Sequence, residues 1–247
     1  MKGIILAGGT GSRLYPLTKV TNKHLLPVGE YPMIYHAIYK MKEAEITDIL
    51  IVTGKHHMGD VVNLLGSGQD FGLKFTYKVQ DAAGGIAQAL GLAEDFAFGE
   101  SVVVLLGDNI FSDSILPYVE TYQRQQEGAM LILKSVDDPE RYGVAEVHGN
   151  QIVSIEEKPE RPKSSLAVTG LYFYDAAVFD LIRQLKPSRR GELEITDVNN
   201  AYIARESCTY EQMRGWWTDA GTHQSLQKAN ELIFREQKQL ALASSGT

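Results

Sequence analysis

Short, almost wholly apolar runs that alternate with helical patterns constrain the fold of this chain most. Residues 3–7, 48–53 and 101–106 are rich in Ile, Leu and Val, and continuous apolar strands are typical of parallel sheets that are covered on both faces. Helical patterns alternate with such runs and lie at residues 33–44, 85–96 and 115–126. The sequence therefore predicts an α/β fold, a Rossmann-like mixed, mainly parallel sheet flanked by helices.

The second half of the chain is more mixed but shows no boundary to a separate domain. Its strand patterns lie at residues 129–135, 143–147, 152–157 and 166–174. Thr196 and Asp197 predict an N-cap that opens a further helix, and a last helix follows Thr222. No linker, repeat or low-complexity tract interrupts the sequence. We therefore expect one domain over residues 1–247, made of two halves that meet near residue 128.

The charge distribution limits the partners of the chain. It carries 24 Lys and Arg against 31 Asp and Glu, a net charge of −7, which argues against a nucleic-acid binder. No apolar stretch is long enough to span a membrane, and the single Cys208 cannot form an internal disulfide, so we expect a cytoplasmic location. Residues 1–29 nevertheless contain basic residues and no acidic one. This positive block predicts a site for an anion.

A glycine-rich loop, GGTGSR at residues 8–13, follows the first apolar run directly. Glycines permit positive φ and close approach of backbone N–H groups to an anion. The loop lacks the pattern of a Walker A loop, and Leu14 stands where a dinucleotide-binding loop has its third glycine, which weakens a dehydrogenase interpretation. Two interpretations remain open from the residues alone. One is a nucleoside-triphosphate loop with Arg13 and Lys23 as its cations, and the other is a structural turn.

Further motifs occur in a fixed order along nearly the whole chain. They are LAGGTGSRL (6–14), KHLLPV (23–28), PMIY (32–35), LGDN (106–109), EEKP (156–159), AVTGLY (167–172), GELEITD (191–197) and WTDAGT (217–222). This ordered set resembles the sugar-phosphate nucleotidylyltransferases and is similar to the branch that acts on glucose 1-phosphate and dTTP. The resemblance implies the nucleotidyltransferase fold, with the nucleotide bound by residues 1–128. It implies that residues 129–247, including the C-terminal helix, bind the sugar phosphate.

The resemblance also implies a reaction and its catalytic residues. A thymidylyl group passes from dTTP to glucose 1-phosphate and gives dTDP-glucose and pyrophosphate, a step toward dTDP-rhamnose and polysaccharides. Because three anionic groups must be held together, positioning and electrostatic stabilisation carry most of the catalysis. The resemblance assigns Arg13 and Lys23 to the triphosphate and Lys158 to the sugar phosphate. It assigns Asp108 and Asp219 to Mg²⁺, which prefers one or two carboxylates together with phosphates.

The other candidate residues are expected to bind the base and the sugar. Gln80 offers a donor and an acceptor that match the imide edge of thymine or uracil, and Gly85 lets a backbone group reach the base. The expected nucleotide-binding positions are Leu6, Ala7, Gly8, Gly9, Thr10, Gly11, Ser12, Gln80 and Gly85. The expected sugar-phosphate positions are Asn109, Gly143, Glu157, Lys158, Val168 and Thr169. Trp216 and Trp217 are interpreted as packing residues.

Departures from the family pattern leave alternatives open. His24 stands where Gln is common, and residues 81–84 replace a stretch that usually contains proline. The second departure keeps a UTP-dependent uridylyltransferase as an alternative, because uracil differs from thymine only by a methyl group. A second alternative is a non-catalytic nucleotide-sugar sensor. The retained basic residues and carboxylates argue against it. We expect a homo-oligomer, a tetramer or dimer. Longer members carry additional C-terminal helices that help form a second, regulatory nucleotide site, so the sequence leaves open whether this chain has such a site.

Overall fold

A nine-stranded mixed sheet forms the centre of the computed structural model, which describes residues 1–244. The strands are β1 (Lys2–Ala7), β2 (Pro27–Val28), β3 (Tyr31–Pro32), β4 (Asp48–Gly54), β5 (Lys74–Gln80), β6 (Val102–Leu106), β7 (Asn109–Phe111), β8 (Ala129–Ser135), β9 (Gly143–His148), β10 (Gln151–Glu157), β11 (Leu166–Tyr174), β12 (Cys208–Gln212) and β13 (Trp217–Asp219). The α-helices are α1 (Met33–Glu43), α2 (Met58–Leu65), α3 (Ile86–Gly91), α4 (Glu94–Ala97), α5 (Leu116–Gln125), α6 (Ala177–Gln184), α7 (Ile195–Ala204) and α8 (His223–Ser244). Residues 245–247 of the predicted domain lie outside the described residues.

The sheet joins both halves of the chain. Its main order is β10-β9-β11-β6-β1-β4-β5, and β8 pairs with β11 and β12. Strands β6, β1, β4 and β5 are parallel to one another, whereas β11 runs antiparallel to β6, β8 and β9. The pairing of β11 with β8 is irregular between Val168 and Tyr172. The predicted mixed, mainly parallel sheet with flanking helices is confirmed.

Two apolar cores cover the two faces of the sheet. Side chains of α1, α2 and α5 pack on one face against Ile5 and Val103. Side chains of α3, α6 and α7 pack on the other face against Ile4 and Val104. Neighbouring residues of each central strand point to opposite faces, so a strand buried on both faces must be apolar throughout. Within residues 1–244, no helix combines the length and the hydropathy needed to cross a membrane.

The C-terminal helix α8 supports the segment that follows the glycine-rich loop. Leu226 and Ala229 pack into a small third core that includes Leu14, Val28 and Met33. The side chain of Asn230 accepts a hydrogen bond of 2.9 Å from the backbone N–H of Gly29, and His223 bonds the carbonyl of Tyr15 at 2.7 Å. The helix therefore holds both flanks of the stretch that carries Lys23.

Three local features differ from the sequence expectations. The helix predicted at residues 85–96 is divided after Gly91, a poor residue for a helix interior, where Leu92 and Ala93 make i→i−3 bonds. Thr196 is not an N-cap, because α7 already begins at Ile195 and the Thr196 hydroxyl donates to Glu157 instead. The strands β7, β12 and β13 were not predicted, since strands of three to five residues leave little periodic signal.

Candidate active site

A cavity of about 500 Å³ lies at the carboxyl ends of β1, β5 and β6. Ligands of open α/β sheets bind at this edge because loops from several strands converge there. The candidate residues on its wall are Leu6, Gly8, Gly9, Arg13, Lys23, Gln80, Gly85, Asp108, Asn109, Gly143, Glu157, Lys158, Val168 and Asp219. Thr10 lines an adjoining cavity of about 510 Å³ instead. Four expected positions line neither cavity, namely Ala7, Gly11, Ser12 and Thr169.

The glycine-rich loop is held in one shape by its own neighbours. Gly9 and Gly11 have φ values of 90° and 62°, which favour glycine. The Thr18 hydroxyl donates to the carbonyl of Gly11 at 2.7 Å, and a β-carbon on Gly11 would lie 2.9 Å from the Thr18 methyl carbon. The carbonyl of Ala7 accepts from Asn22. Ala7 and Gly11 therefore shape the loop, whose exposed backbone at Gly8 and Gly9 faces the cavity.

Lys23 and Asp108 form a buried ion pair at the loop. Their Nζ and Oδ2 atoms are 2.5 Å apart, and the side chains are only 13% and 11% exposed. Burial alone would raise the pKa of Asp108, but the charge of Lys23 and hydrogen bonds from Lys23 and Asn109 hold that pKa well below its usual range. The carboxylate is therefore ionised at neutral pH. The cation expected on the triphosphate and the carboxylate expected on the metal contact each other in this structure.

Asp219 stands beside this pair. A β-carbon on Gly221 would lie 2.6 Å from Asp219 Oδ1, 2.9 Å from an Arg13 guanidinium nitrogen and 3.5 Å from Asp108 Oδ2. The two carboxylates and Arg13 therefore surround one point, which the missing side chain of Gly221 leaves open. Burial and the negative charge of Asp108 raise the pKa of Asp219, although Lys23 and Arg13 partly oppose this. Two close carboxylates that repel each other are a suitable site for a cation.

Asn109 and Trp217 fix the position of Asp108. The Asn109 amide nitrogen donates to Asp108 Oδ1 at 3.2 Å, while its oxygen accepts from the backbone of Gly170 at 2.8 Å and from the Trp217 indole at 2.7 Å. The irregular pairing of β11 lies at this Gly170 contact. Asn109, expected to bind sugar hydroxyls, thus uses its amide to orient the carboxylate. Trp217 packs in the core as expected and in addition forms part of the cavity wall.

The end of the cavity that carries Glu157 and Lys158 is polar and partly charged. Glu157 Oε2 accepts from the Thr196 hydroxyl at 2.7 Å, and its Oε1 lies 3.6 Å from Lys158 Nζ and 3.3 Å from an Arg190 nitrogen. A β-carbon on Gly143 would lie 3.3 Å from Thr196 and 3.4 Å from Glu157. Glycine therefore leaves the Glu157 carboxylate accessible beside the backbone of β9.

Thr169 does not belong to this end of the cavity. It is 1% exposed, its hydroxyl donates to the carbonyl of Ile132 in β8 at 2.8 Å, and the neighbouring Val168 lines the cavity in its place. Adjacent residues of a strand point to opposite faces, so only one of the two can face a ligand. The Thr169 side chain therefore does not line the cavity, although Thr169 was expected at the sugar together with Val168.

Gln80 and Gly85 meet at the opposite end of the cavity. The Gln80 amide nitrogen donates to the Gly85 carbonyl at 3.2 Å and to Gln88 Oε1 at 2.7 Å. Gly85 has a φ of 100°, and a β-carbon there would lie only 2.4 Å from the carbonyl oxygen of Leu193. This glycine allows the turn before α3 to pack directly on the backbone near Leu193. The expected base-binding pair is therefore brought together, with the donor atoms of Gln80 already bonded.

Several cavity residues were missed by sequence reasoning. They are His24, Ala83, Ile86, Ala89, Leu106, Arg141, Tyr142, Gly170, Tyr172, Arg190, Glu192, Ile195, Thr196, Asn199 and Trp217. Some lie inside motifs that were recognised, such as GELEITD and WTDAGT, so the motif was the available signal and the role of each position was not. Burial lowers the pKa of His24 to about 3, which makes this residue a neutral partner beside Lys23.

Comparisons with known proteins agree with this arrangement. Residues 2–236 match the family described as nucleotidyl transferase. The glucose-1-phosphate thymidylyltransferase of Neisseria meningitidis serogroup A is 46% identical over 237 residues, which are 94% of this chain and 82% of that protein. The glucose-1-phosphate thymidylyltransferase of Xanthomonas campestris is 47% identical over 239 residues, 94% of this chain and 80% of that protein.

Solved structures give the same result. A Bacillus anthracis protein assigned as a glucose-1-phosphate thymidylyltransferase, in complex with sucrose, is 70% identical, with a TM-score of 0.91 and 94% of both chains covered. A UDP-glucose pyrophosphorylase in complex with UDP-glucose is 25% identical, with a TM-score of 0.85 and coverage of 95% of this chain and 98% of that one. The family match spans most of the chain, and it includes both ends of the cavity. This chain belongs to the nucleotidyl transferase family.

Proposed function

We propose that this chain is a glucose-1-phosphate thymidylyltransferase, which makes dTDP-glucose and pyrophosphate from dTTP and glucose 1-phosphate. One observation carries the proposal. A single cavity connects the glycine-rich loop and Arg13 to the carboxylates Asp108 and Asp219 and to Lys158, in a chain whose relatives with this name are 41–47% identical to it. In the same way we assign the nucleotide to the half formed by residues 1–128 and the sugar phosphate to the remainder.

The proposed reaction needs little proton chemistry. The phosphate oxygen of glucose 1-phosphate is already ionised, so it can attack the α-phosphorus in line without a protein base. Arg13 and the backbone at Gly8 and Gly9 would bind the triphosphate and stabilise the charge on the departing pyrophosphate. Lys158 would hold the sugar phosphate, and Glu157 would accept hydrogen bonds from the sugar hydroxyls. Holding both anions in line supplies most of the rate enhancement.

Asp108 and Asp219 fit a magnesium ion. Both side chains are largely buried, and their oxygens surround one point. The negative charge of Asp108 raises the pKa of Asp219, so a bound cation would relieve the repulsion between the two carboxylates. Two carboxylates are enough for Mg²⁺, because it completes its coordination with water and substrate phosphates. When bound, Mg²⁺ would neutralise phosphate charge and orient the reacting groups. Lys23 would then exchange part of its contact with Asp108 for the triphosphate.

The setting of the proposed reaction follows from its substrates. Nucleoside triphosphates and sugar phosphates are substrates of the cytoplasm, so we propose this location. The product would supply deoxysugar pathways such as dTDP-rhamnose and cell-surface polysaccharide synthesis. We also propose that the enzyme acts as a homo-oligomer, a tetramer or dimer, which sedimentation or light scattering can measure.

A nucleotide and sugar-phosphate panel tests the function. Purified protein with Mg²⁺ is mixed with glucose 1-phosphate and either dTTP or UTP, and pyrophosphate release is followed. We expect a higher kcat/KM with dTTP. A much higher value with UTP would identify a uridylyltransferase, and nucleotide binding without any turnover would identify a sensor. In the Lys158→Gln variant, the KM for glucose 1-phosphate should rise by roughly 10- to 100-fold, because a charged hydrogen bond to phosphate is lost. The KM for dTTP should stay near its wild-type value.

A further inference from the structure

The base end of the cavity contains a hydrogen-bond chain that the proposed reaction does not by itself explain. The backbone N–H of Gly84 donates to the Ala82 carbonyl at 2.8 Å and is shared with Gln88 Oε1 at 3.2 Å. The same Gln88 oxygen accepts from the Gln80 amide nitrogen at 2.7 Å, and that nitrogen also donates to the Gly85 carbonyl at 3.2 Å. The chain therefore begins and ends on backbone groups of the turn that precedes α3.

These backbone groups determine which way the Gln80 amide points. A backbone N–H can only donate, so the Gln88 atom next to Gly84 must be its oxygen. A backbone carbonyl can only accept, so the Gln80 atom between Gln88 and Gly85 must be its nitrogen. A flipped Gln80 would place its oxygen against two acceptor oxygens. The orientation of Gln80 is thus set by groups that cannot exchange donor and acceptor roles.

The oxygen of the Gln80 amide is left for a ligand. It lies where a β-carbon on Gly8 would come within 2.6 Å, and both Gly8 and Gln80 line the cavity. No donor among residues 1–244 forms a hydrogen bond with this oxygen. The side chain is only 7% exposed, so a base that entered would meet an oriented acceptor with little competition from water.

We propose that Gln88 is a positioning residue that holds the Gln80 amide with its oxygen toward the base, and that this selects pyrimidines with an N3–H group. The inference rests on the proposed function, since it concerns the base that this function uses. Thymine and uracil carry a hydrogen at N3 and can donate to Gln80. Cytosine has an unprotonated N3 that would face another acceptor. The protein then discriminates against cytosine because Gln88 prevents the Gln80 amide from rotating to present its nitrogen, which could donate to N3 of cytosine.

The expected discrimination is moderate because it depends on one oriented group. An acceptor that faces an acceptor in a water-poor site loses about one hydrogen bond, which corresponds to roughly 10- to 100-fold in affinity. Removing the Gln88 oxygen leaves only the longer bond to Gly85, so Gln80 can turn and offer its nitrogen to cytosine. The thymine methyl group is not part of this argument, and dUTP should behave like dTTP.

Binding of dTTP, dUTP and dCTP to the complete protein tests the proposal by isothermal titration calorimetry. Gln88→Met keeps the length of the side chain but removes the acceptor, and Gln88→Ala is a second variant in case the first does not fold. Gln88→Glu keeps an acceptor in the same place. Gln227→Met is the matched control, because Gln227 bonds only Glu231 on the exposed face of α8.

The ratio of dCTP to dTTP dissociation constants decides the outcome. We expect wild type, Gln88→Glu and Gln227→Met to favour dTTP, and Gln88→Met and Gln88→Ala to reduce the ratio by on the order of tenfold. Equal loss of affinity for both nucleotides in Gln88→Met would show a structural role only and overturn the proposal. A wild type that binds dCTP as well as dTTP would also overturn it. Selective binding without turnover would refute the proposed function and leave this inference standing.

Discussion

Replacing Gly85 by alanine should destabilise the protein because two independent constraints act at that position. The backbone has a φ of 100°, which an L side chain rarely adopts. The added β-carbon would lie 2.4 Å from the Leu193 carbonyl oxygen and 3.0 Å from its nitrogen. Relief of the closer contact to 3.0 Å alone requires a shift of about 0.6 Å (3.0 − 2.4). The two backbone segments must therefore separate.

The cost can be estimated from the bonds that join these segments. Leu193 donates to the Gly84 carbonyl at 2.8 Å, and Ala87 donates to the Leu193 carbonyl at 3.2 Å. The backbone of Gly85, at φ 100° and ψ 171°, lies in a region almost restricted to glycine, which costs another residue about 1–3 kcal/mol. Weakening the two hydrogen bonds adds about 1–2 kcal/mol. A total of about 3 kcal/mol corresponds to a fall in Tm of roughly 6–12 °C for a chain of this size.

Thermal and urea unfolding of Gly85→Ala, with Gly59→Ala as control, would measure this effect. Gly59 lies in α2, is exposed, and has no heavy atom within 4 Å of the position of an added β-carbon. The control should therefore be neutral or gain up to about 1 kcal/mol from helix propensity. The KM for dTTP should also rise in Gly85→Ala, because Gln80 bonds the Gly85 carbonyl. A Tm within about 1 °C of wild type would refute the reasoning.

Three further substitutions test other parts of the site. Asp219→Asn should lower the Mg²⁺-dependent kcat by about 100-fold or more. The same substitution should raise the Tm measured in EDTA, because it removes a negative charge that burial and the neighbouring Asp108 disfavour. A kcat near the wild-type value would contradict the metal assignment. Burial lowers the pKa of His24 from 6.5 to about 3. Below pH 6.5 the unfolded chain therefore binds a proton that the folded chain does not, and the free energy of unfolding decreases as the pH is lowered. This proton costs the wild type about 2 kcal/mol of stability at pH 5. Between pH 7 and pH 5, the free energy of unfolding measured in urea should therefore fall by about 2 kcal/mol less in His24→Gln than in wild type. Equal falls in the two proteins would contradict the lowered pKa of His24. Thr169→Val should cost about 1 kcal/mol through the lost bond to Ile132 without changing the KM for glucose 1-phosphate, and a raised KM would return Thr169 to the sugar site.

Sequence patterns predicted the central elements well because those elements are long and strongly apolar. Strands β1, β4 and β6 are buried on both faces, so they could be recognised without knowing their neighbours. The short strands β7 and β13 could not, since they are stabilised by pairing with each other across the site. The same holds for Thr196, whose role depends on the distant Glu157.

Residue chemistry and motif order, both readable in the sequence, determined the fold class, the family and about half of the residues on the cavity wall. Only the tertiary structure decided what each side chain does there, because hydrogen-bond partners lie far apart along the chain. Asn109 orients Asp108 and is itself held by Gly170 and Trp217. Gln80 carries a donor and an acceptor in any sequence, but folding places Gln88 beside the donor and leaves the acceptor for a ligand. Which way the oxygen and nitrogen of a side-chain amide point is decided by the donors and acceptors around it, and only the folded structure supplies these.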